Sequence, residues 1–154
     1  MHRPITGFKM DEHHHWVAFL SCGHKQHVRH RPPFEELRWV ITEIGRREKL
    51  GKPLDCSRCD RFEMPDDSEA YRKTAEFNER TIPQSLRRNH STKPGVWAKI
   101  QVIEGKLNYR IDVLGAQQFE LSPRAAGIVV PEVRHSVEPI GPVRFFVEFY
   151  KARQ

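Results

Sequence analysis

Apolar residues in the first half of the chain come in short runs separated by polar breaks. Residues 16–20, from Trp16 to Leu20, are an apolar run with polar neighbours on both sides, which predicts a strand. Residues 26–30 return as its partner, with Cys22, Gly23, His24 and Lys25 at the tip. Arg31, Pro32 and Pro33 end the pairing, because proline cannot donate to a ladder. Residues 37–42 read as a third strand. Residues 43–50 read as a short helix closed by Gly51 and Pro53, and Cys56 to Cys59 follows as a tight knuckle.

The second half has longer alternating stretches. Residues 96–103 and 106–113 predict two strands joined by a hairpin at Glu104-Gly105. Residues 117–121, 127–130 and 135–138 are shorter strands, each closed by a proline nearby. Residues 143–150 place Val143, Phe145, Val147 and Phe149 on one face and Arg144, Phe146, Glu148 and Tyr150 on the other. The fold class expected is mainly β: a small first domain at residues 1–62, a polar linker at 63–70, and an antiparallel β-barrel domain at 71–154.

Composition narrows the function classes. No run of about 18 apolar residues is present, so no membrane-spanning helix is expected. The N-terminal residues lack the apolar segment of a signal peptide, which implies a cytoplasmic protein. The formal net charge is +6, with 12 Lys/Arg against 10 Asp/Glu in residues 1–66 and 14 against 10 in the rest. A nucleic-acid binder concentrates such an excess on one face or tail, so that partner class is not expected. The three cysteines fall at 22, 56 and 59, all in the first half. In a reducing compartment an odd count with a CxxC spacing favours a metal over a structural disulfide.

Zinc takes thiolate and imidazole ligands in a closed tetrahedron when its role is structural. Cys56 and Cys59 supply two sulfurs at knuckle spacing, and Cys22 is the only other sulfur. Gly23 allows the tight turn that points Cys22 and His24 at one ion. The expected set is therefore Cys22, His24, Cys56 and Cys59, with His27 the first alternate and His30 the next. The run His13-His14-His15 reads as an exposed turn. A domain of about 60 residues is marginal on hydrophobic burial alone, and a metal would make up the deficit. The pattern Cys22-Gly23-His24, Gln26-His27-Val28-Arg29-His30, Pro32-Pro33 and Cys56-x-x-Cys59-Asp60 resembles a small bacterial domain of unknown function over residues 1–61. That resemblance implies a zinc-ribbon-like module and no activity.

Four blocks of the second half carry another resemblance: Arg88-Asn89-His90 with Lys93-Pro94-Gly95-Val96-Trp97; Val102 to Tyr109; Pro131-Glu132 with His135, Val137 and Glu138; and Phe146 to Tyr150. From about residue 71 to the end they resemble the small cupin domain of the YeaR/TehB-like group. The resemblance implies a β-barrel with a metal pocket, bound by zinc, iron or nickel. His90 and His135 stand at the two motif positions, while Thr92 occupies the place of an expected histidine. The third ligand is then Glu148, whose burial in a barrel would demand a partner, with Glu132 the runner-up. Two histidines and a carboxylate with open positions is the arrangement of non-haem iron oxygenases. Lys93 and Arg88 are candidates for an anionic ligand, and Tyr109, Tyr150 or Lys93 for proton transfer.

The group takes its name from tellurite-resistance proteins, in which such a domain can precede a methyltransferase. This chain has no glycine-rich nucleotide loop. The function expected is a metal-binding, small-molecule-binding or sensor cupin coupled to a structural-zinc interaction module, in a stress or tellurite/oxyanion response. The rival is a dioxygenase-type cupin enzyme. The partners expected are a small molecule or anion in the pocket and a protein at the N-terminal module, with a homodimer among the options.

Overall fold

The computed structural model describes residues 1–153, which form two compact units, Met1–Pro65 and Asp66–Arg153. The fold is mainly β, and every strand pairing is antiparallel. Among the described residues no helix is long and apolar enough to cross a membrane.

In the first unit β1 (His2–Met10), β2 (Trp16–Leu20), β3 (Lys25–Val28) and β4 (Pro53–Asp55) form a sheet in the order β3-β2-β1-β4. Strand β1 has no apolar run to announce it. It alternates instead, with Arg3 and Ile5 buried between exposed neighbours. The β1–β2 turn is held by Asp11, whose Oδ1 accepts the backbone N–H of His13 at 2.9 Å and of His15 at 2.8 Å. The His13-His14-His15 run is exposed there, as expected. The expected strand at residues 37–42 is instead a 3-10 helix, Arg38–Ile41. Only Val40 of it is buried, while Ile41 is exposed and Trp39 packs beside Phe8 with ring centroids 5.7 Å apart. The three successive apolar residues do not alternate, so no strand face could bury them together. Helix α1 (Glu43–Lys49) begins at Thr42, whose hydroxyl accepts the Gly45 N–H at 3.0 Å. Helix α2 (Ser57–Asp60) is a single turn that carries Cys59.

The second unit is a six-stranded sheet that curls into half a barrel. Its strands are β5 (Ser68–Lys73), β6 (Phe77–Asn78), β7 (Val96–Asp112), β8 (Ala116–Leu121), β9 (Gly127–Val129) and β10 (His135–Ala152), with a short helix α3 (Gln84–Arg87) before β7. The order is β5-β10-β7-β8, with β6 on β10 and β9 on β7. Residues 68–70, expected in the linker, begin β5 because they pair with the end of β10.

Two expectations fail here for one reason. Glu104-Gly105 is not a hairpin: residues 96–112 run on as one strand. Residues 135–138 and 143–150 likewise belong to one strand, β10. The two long strands pair with each other from His135–Ile111 to Lys151–Val96. Straight, each would span roughly 55 Å; bulges let them curl. Register slips between Ile140 and Val143 and between Arg144 and Phe145. At the second slip Ile103 is passed over, so the buried set on β7 changes from Ala98, Ile100 and Val102 to Leu107, Tyr109 and Ile111. Gly105, opposite Val143 at the first slip, has φ +83°, and a Cβ there would lie 2.1 Å from the Pro142 carbonyl oxygen. The glycine read as a turn signal thus allows two backbones to approach closely. Trp97, Leu107, Tyr109, Ile111 and Phe145 are almost wholly buried and anchor the core.

Candidate metal centre and a histidine-lined cavity

Cys22, His24, Cys56 and Cys59 converge in the first unit. One ligand atom from each lies within 4.8 Å of all the others, and all four residues are buried. Two local turns bring them there. Gly23, at φ +90°, turns the chain between β2 and β3, and its N–H bonds the Leu20 carbonyl at 2.8 Å. Cys56 and Cys59 are three apart across the start of α2, the spacing that puts two side chains on one side of a helical turn. The Cys56 N–H donates to the Met1 carbonyl at 2.8 Å, which fixes the knuckle to β1.

The distances fit a metal. Zinc bound tetrahedrally by sulfur at about 2.3 Å and nitrogen at about 2.0–2.1 Å has S···S edges of about 3.8 Å and S···N edges of about 3.5 Å. The Cys22 and Cys56 sulfurs are 4.0 Å apart, and His24 Nδ1 lies 3.4, 3.3 and 3.7 Å from the sulfurs of Cys22, Cys56 and Cys59. The cluster could therefore hold a metal ion such as zinc. Without metal, the groups share protons. Burial pulls the His24 imidazole down, but its bonds to Cys22 and Cys56 outweigh that and hold it at about 9. The Cys56 thiol is pushed down by its bonds to Cys22 and Cys59, and the Cys59 thiol is pushed up by its bonds to Cys22 and Cys56. The alternates lie elsewhere. His27 is exposed and bonds Asp11 Oδ2 at 2.8 Å, and His30 is outside the cluster.

In the second unit His90 and His135 meet across an isolated bridge, each N–H bonding the other's carbonyl at 2.8 Å. Their rings stand edge to face with centroids 5.4 Å apart. Both line a cavity of about 40 Å³ whose remaining walls include Ala98, Ile100, Val129, Val137, Phe145 and Val147. A single water needs about 10–15 Å³ measured this way, so the space suits a ligand of a few non-hydrogen atoms. His135 is buried, and burial pushes its pKa down, which favours the neutral ring. Its Nδ1 lies 3.0 Å from the Val133 carbonyl, which can only accept; Nδ1 therefore carries the proton and Nε2 keeps its lone pair.

The structure does not bring Glu148 to these histidines. Glu148 lies on the opposite face of β10 from Phe145, Val147 and the cavity. There it accepts a hydrogen bond from the Tyr150 hydroxyl and pairs in register with Lys73 and Lys99. Glu132 is exposed at φ +63°, with its N–H on the Thr92 carbonyl, and does not line the cavity either. Lys93 and Arg88 are exposed and outside the lining. Thr92 does line it, in the place of the expected histidine, but its hydroxyl is spent on the Val96 carbonyl at 2.6 Å. Tyr109 donates to the Ile128 carbonyl at 2.8 Å, and burial pushes its phenol well above the usual range, which suits a structural group better than a proton carrier. Tyr150 is pushed up to about 12 by burial and by Glu148. Sequence reasoning missed the apolar wall, because its residues come from strands whose faces only the bulged register fixes.

A mainly β chain with a buried cysteine–histidine cluster in one unit and a histidine-lined cavity in the other is the class that these observations define. Residues 6–63 match a family of unknown function, DUF3565. Residues 72–147 match the TehB-like domain. Among solved structures, a protein from E. coli strain K12 is similar at TM-score 0.55 and 22% identity, over 60% of this chain and 98% of that one. That likeness is one of fold. TehB from Haemophilus influenzae is similar at TM-score 0.50 and 26% identity, over 56% of this chain and 32% of TehB. The matched part of this chain thus spans about a third of the length of TehB. No curated protein matches the chain.

Proposed function

We propose that this protein binds structural zinc in its first unit and a small molecule or anion in its second, as a sensor or binding protein. Cys22, His24, Cys56 and Cys59 would hold the zinc in a closed, zinc-ribbon-like site that supplies folding free energy and no open position for chemistry. The second unit is read as a cupin whose ligand meets the Nε2 of His135 and the ring of His90. The TehB-like match and the likeness to TehB support a place in a tellurite, oxyanion or other stress response. The two units act as separate domains, and the first presents a surface to a protein partner.

One observation carries the binding reading over the enzyme reading. The cavity lining holds two histidines and no carboxylate, lysine or arginine. An oxygenase-type iron site needs a third protein ligand, and the residues present supply two. They do not fit a resident three-ligand metal. A small molecule or oxyanion that keeps a hydroxyl can donate it as a hydrogen bond to the Nε2 lone pair of His135, and needs no third protein group.

Elemental analysis of the purified chain beside Cys56→Ala and His135→Ala tests this reading. One zinc per chain, lost in Cys56→Ala and kept in His135→Ala, is the expected result. Tellurite, selenite and phosphate titrated into the three proteins should give a binding signal that His135→Ala alone abolishes. Zinc absent from the wild type, or oxygen consumption by iron-loaded protein with a small thiol or diketone, would overturn it.

A further inference from the structure

Asp11 does more than build the β1–β2 turn. Its Oδ1 accepts the backbone N–H groups of His13 and His15, and that completes the turn. Its other oxygen is left for side chains. Oδ2 lies 2.8 Å from Nε2 of His27, on β3, and 3.9 Å from Nδ1 of His15, the residue before β2. The two imidazoles stand edge to face with ring centroids 6.3 Å apart. Three separate segments of the first unit thus bring one carboxylate and two imidazoles together, away from the cysteine cluster. The carboxylate is held in place because its first oxygen is tied to the backbone twice.

Two imidazoles and a carboxylate are a donor set for divalent first-row ions, since imidazole suits zinc, copper and nickel. Two protonated rings this close would repel each other, whereas two neutral rings beside a carboxylate offer their lone pairs to a cation. We propose that Asp11, His15 and His27 form a surface site for a divalent transition-metal ion of the nickel, copper or zinc type. The site is separate from the cysteine cluster and holds whichever ion that cluster takes. Donor atoms about 2.0–2.2 Å from one ion lie about 3.0–3.4 Å apart, and the two oxygen–nitrogen distances, 2.8 and 3.9 Å, fall on either side of that range. The triad is looser than the cysteine cluster, whose ligand atoms already lie within 4.8 Å of one another. It closes by rotation of the rings. His15 and His27 are 46% and 49% exposed and have room to turn, while Asp11, at 22%, stays fixed. Three protein ligands at the surface leave the remaining positions to water.

The experiment is titration of nickel(II) into the untagged full chain, loaded beforehand with one equivalent of zinc to occupy the cysteine cluster. Calorimetry should show one nickel per chain. Histidine ring NMR should show paramagnetic broadening of the His15 and His27 signals and not of His24. Asp11→Asn keeps the acceptor that builds the turn and replaces the metal-facing oxygen, so it should fold and lose the nickel. His27→Gln and His15→Ala should lose it too, and His27→Gln carries the test where Asp11→Asn does not fold. His14→Asn is the control. Asparagine tolerates the φ of +60° found at His14, and this variant should bind nickel as the wild type does. Nickel that binds Asp11→Asn as tightly as wild type, or that is lost in His14→Asn, would show an exposed histidine run binding metal with no built site, and would overturn the proposal. A chain that takes no nickel, or takes it only at His24, would overturn it as well.

Discussion

The two sites differ in how they are built. In the first unit four ligand atoms come from two short turns, each fixed by residues within three positions of one another. All are buried and within 4.8 Å. In the second unit His90 and His135 are 45 positions apart and meet only because two backbone hydrogen bonds bridge a loop to a strand end. Most of their surroundings is apolar wall from β7, β9 and β10, completed by Thr74, Leu86 and Thr92. The first arrangement gathers four ligand atoms at one point that could hold a metal ion, and the second sets two histidines in the wall of a cavity. The conspicuous cysteine cluster and the cavity lie in different units.

Cys56→Ala should have the largest effect on that contrast. A unit of about 65 residues has little core, and a structural zinc contributes on the order of 10 kcal/mol at neutral pH. The variant should lose its metal and unfold the first unit, while amide resonances of residues 66–153 stay put. Retention of a folded first unit would mean that it does not depend on the metal. Gly105→Ala comes next, in the other unit. A Cβ at that position would strike the Pro142 carbonyl and adopt an unfavourable positive φ. Destabilisation of about 3 kcal/mol, read by urea denaturation, is expected.

Glu148→Gln tests whether the cavity works without a carboxylate. Anion binding at the histidines should match wild type within about twofold, because Glu148 lies on the opposite face of β10. A loss as large as that of His135→Ala would restore Glu148 as a ligand. The smallest effect is at Asp11. Backbone N–H donation from His15, then the bond from His27, hold its carboxyl at about 2, below its ordinary 3.8. A depressed folded pKa gives stability that is present above the unfolded value and is lost as pH falls through the folded one. Unfolding of the first unit should therefore become easier between about pH 4 and 2, and Asp11→Asn should flatten that part of the profile.

Much of the first site was legible in the sequence. Cys22-Gly23-His24 and Cys56-x-x-Cys59 are local spacings whose geometry a turn and a helical turn dictate. The choice among His24, His27 and His30 needed the sheet as well. Strand β3 pairs His27 with Val17 and leaves its side chain exposed, where Asp11 holds it. Less of the second site could be read. The positions of His90 and His135 stood out, but the face of Glu148 was assigned to the interior, and its neighbours in the fold put it outside. The strands themselves were found in pieces because Gly105, Gly141 and the prolines at 139 and 142 resemble turns, although here they mark bulges in continuous strands.

The sequence by itself determined that this is a mainly β chain, that its thiols gather in one half and that a CxH and a CxxC spacing can close on one ion. Those properties depend on residues a few positions apart. Only the tertiary structure decided which side chains share the histidine cavity. Along a strand the side chains alternate, and one residue passed over at Ile103 exchanges the inner and outer faces of all that follows. No local pattern records that slip, because it exists only in the pairing of β7 with β10.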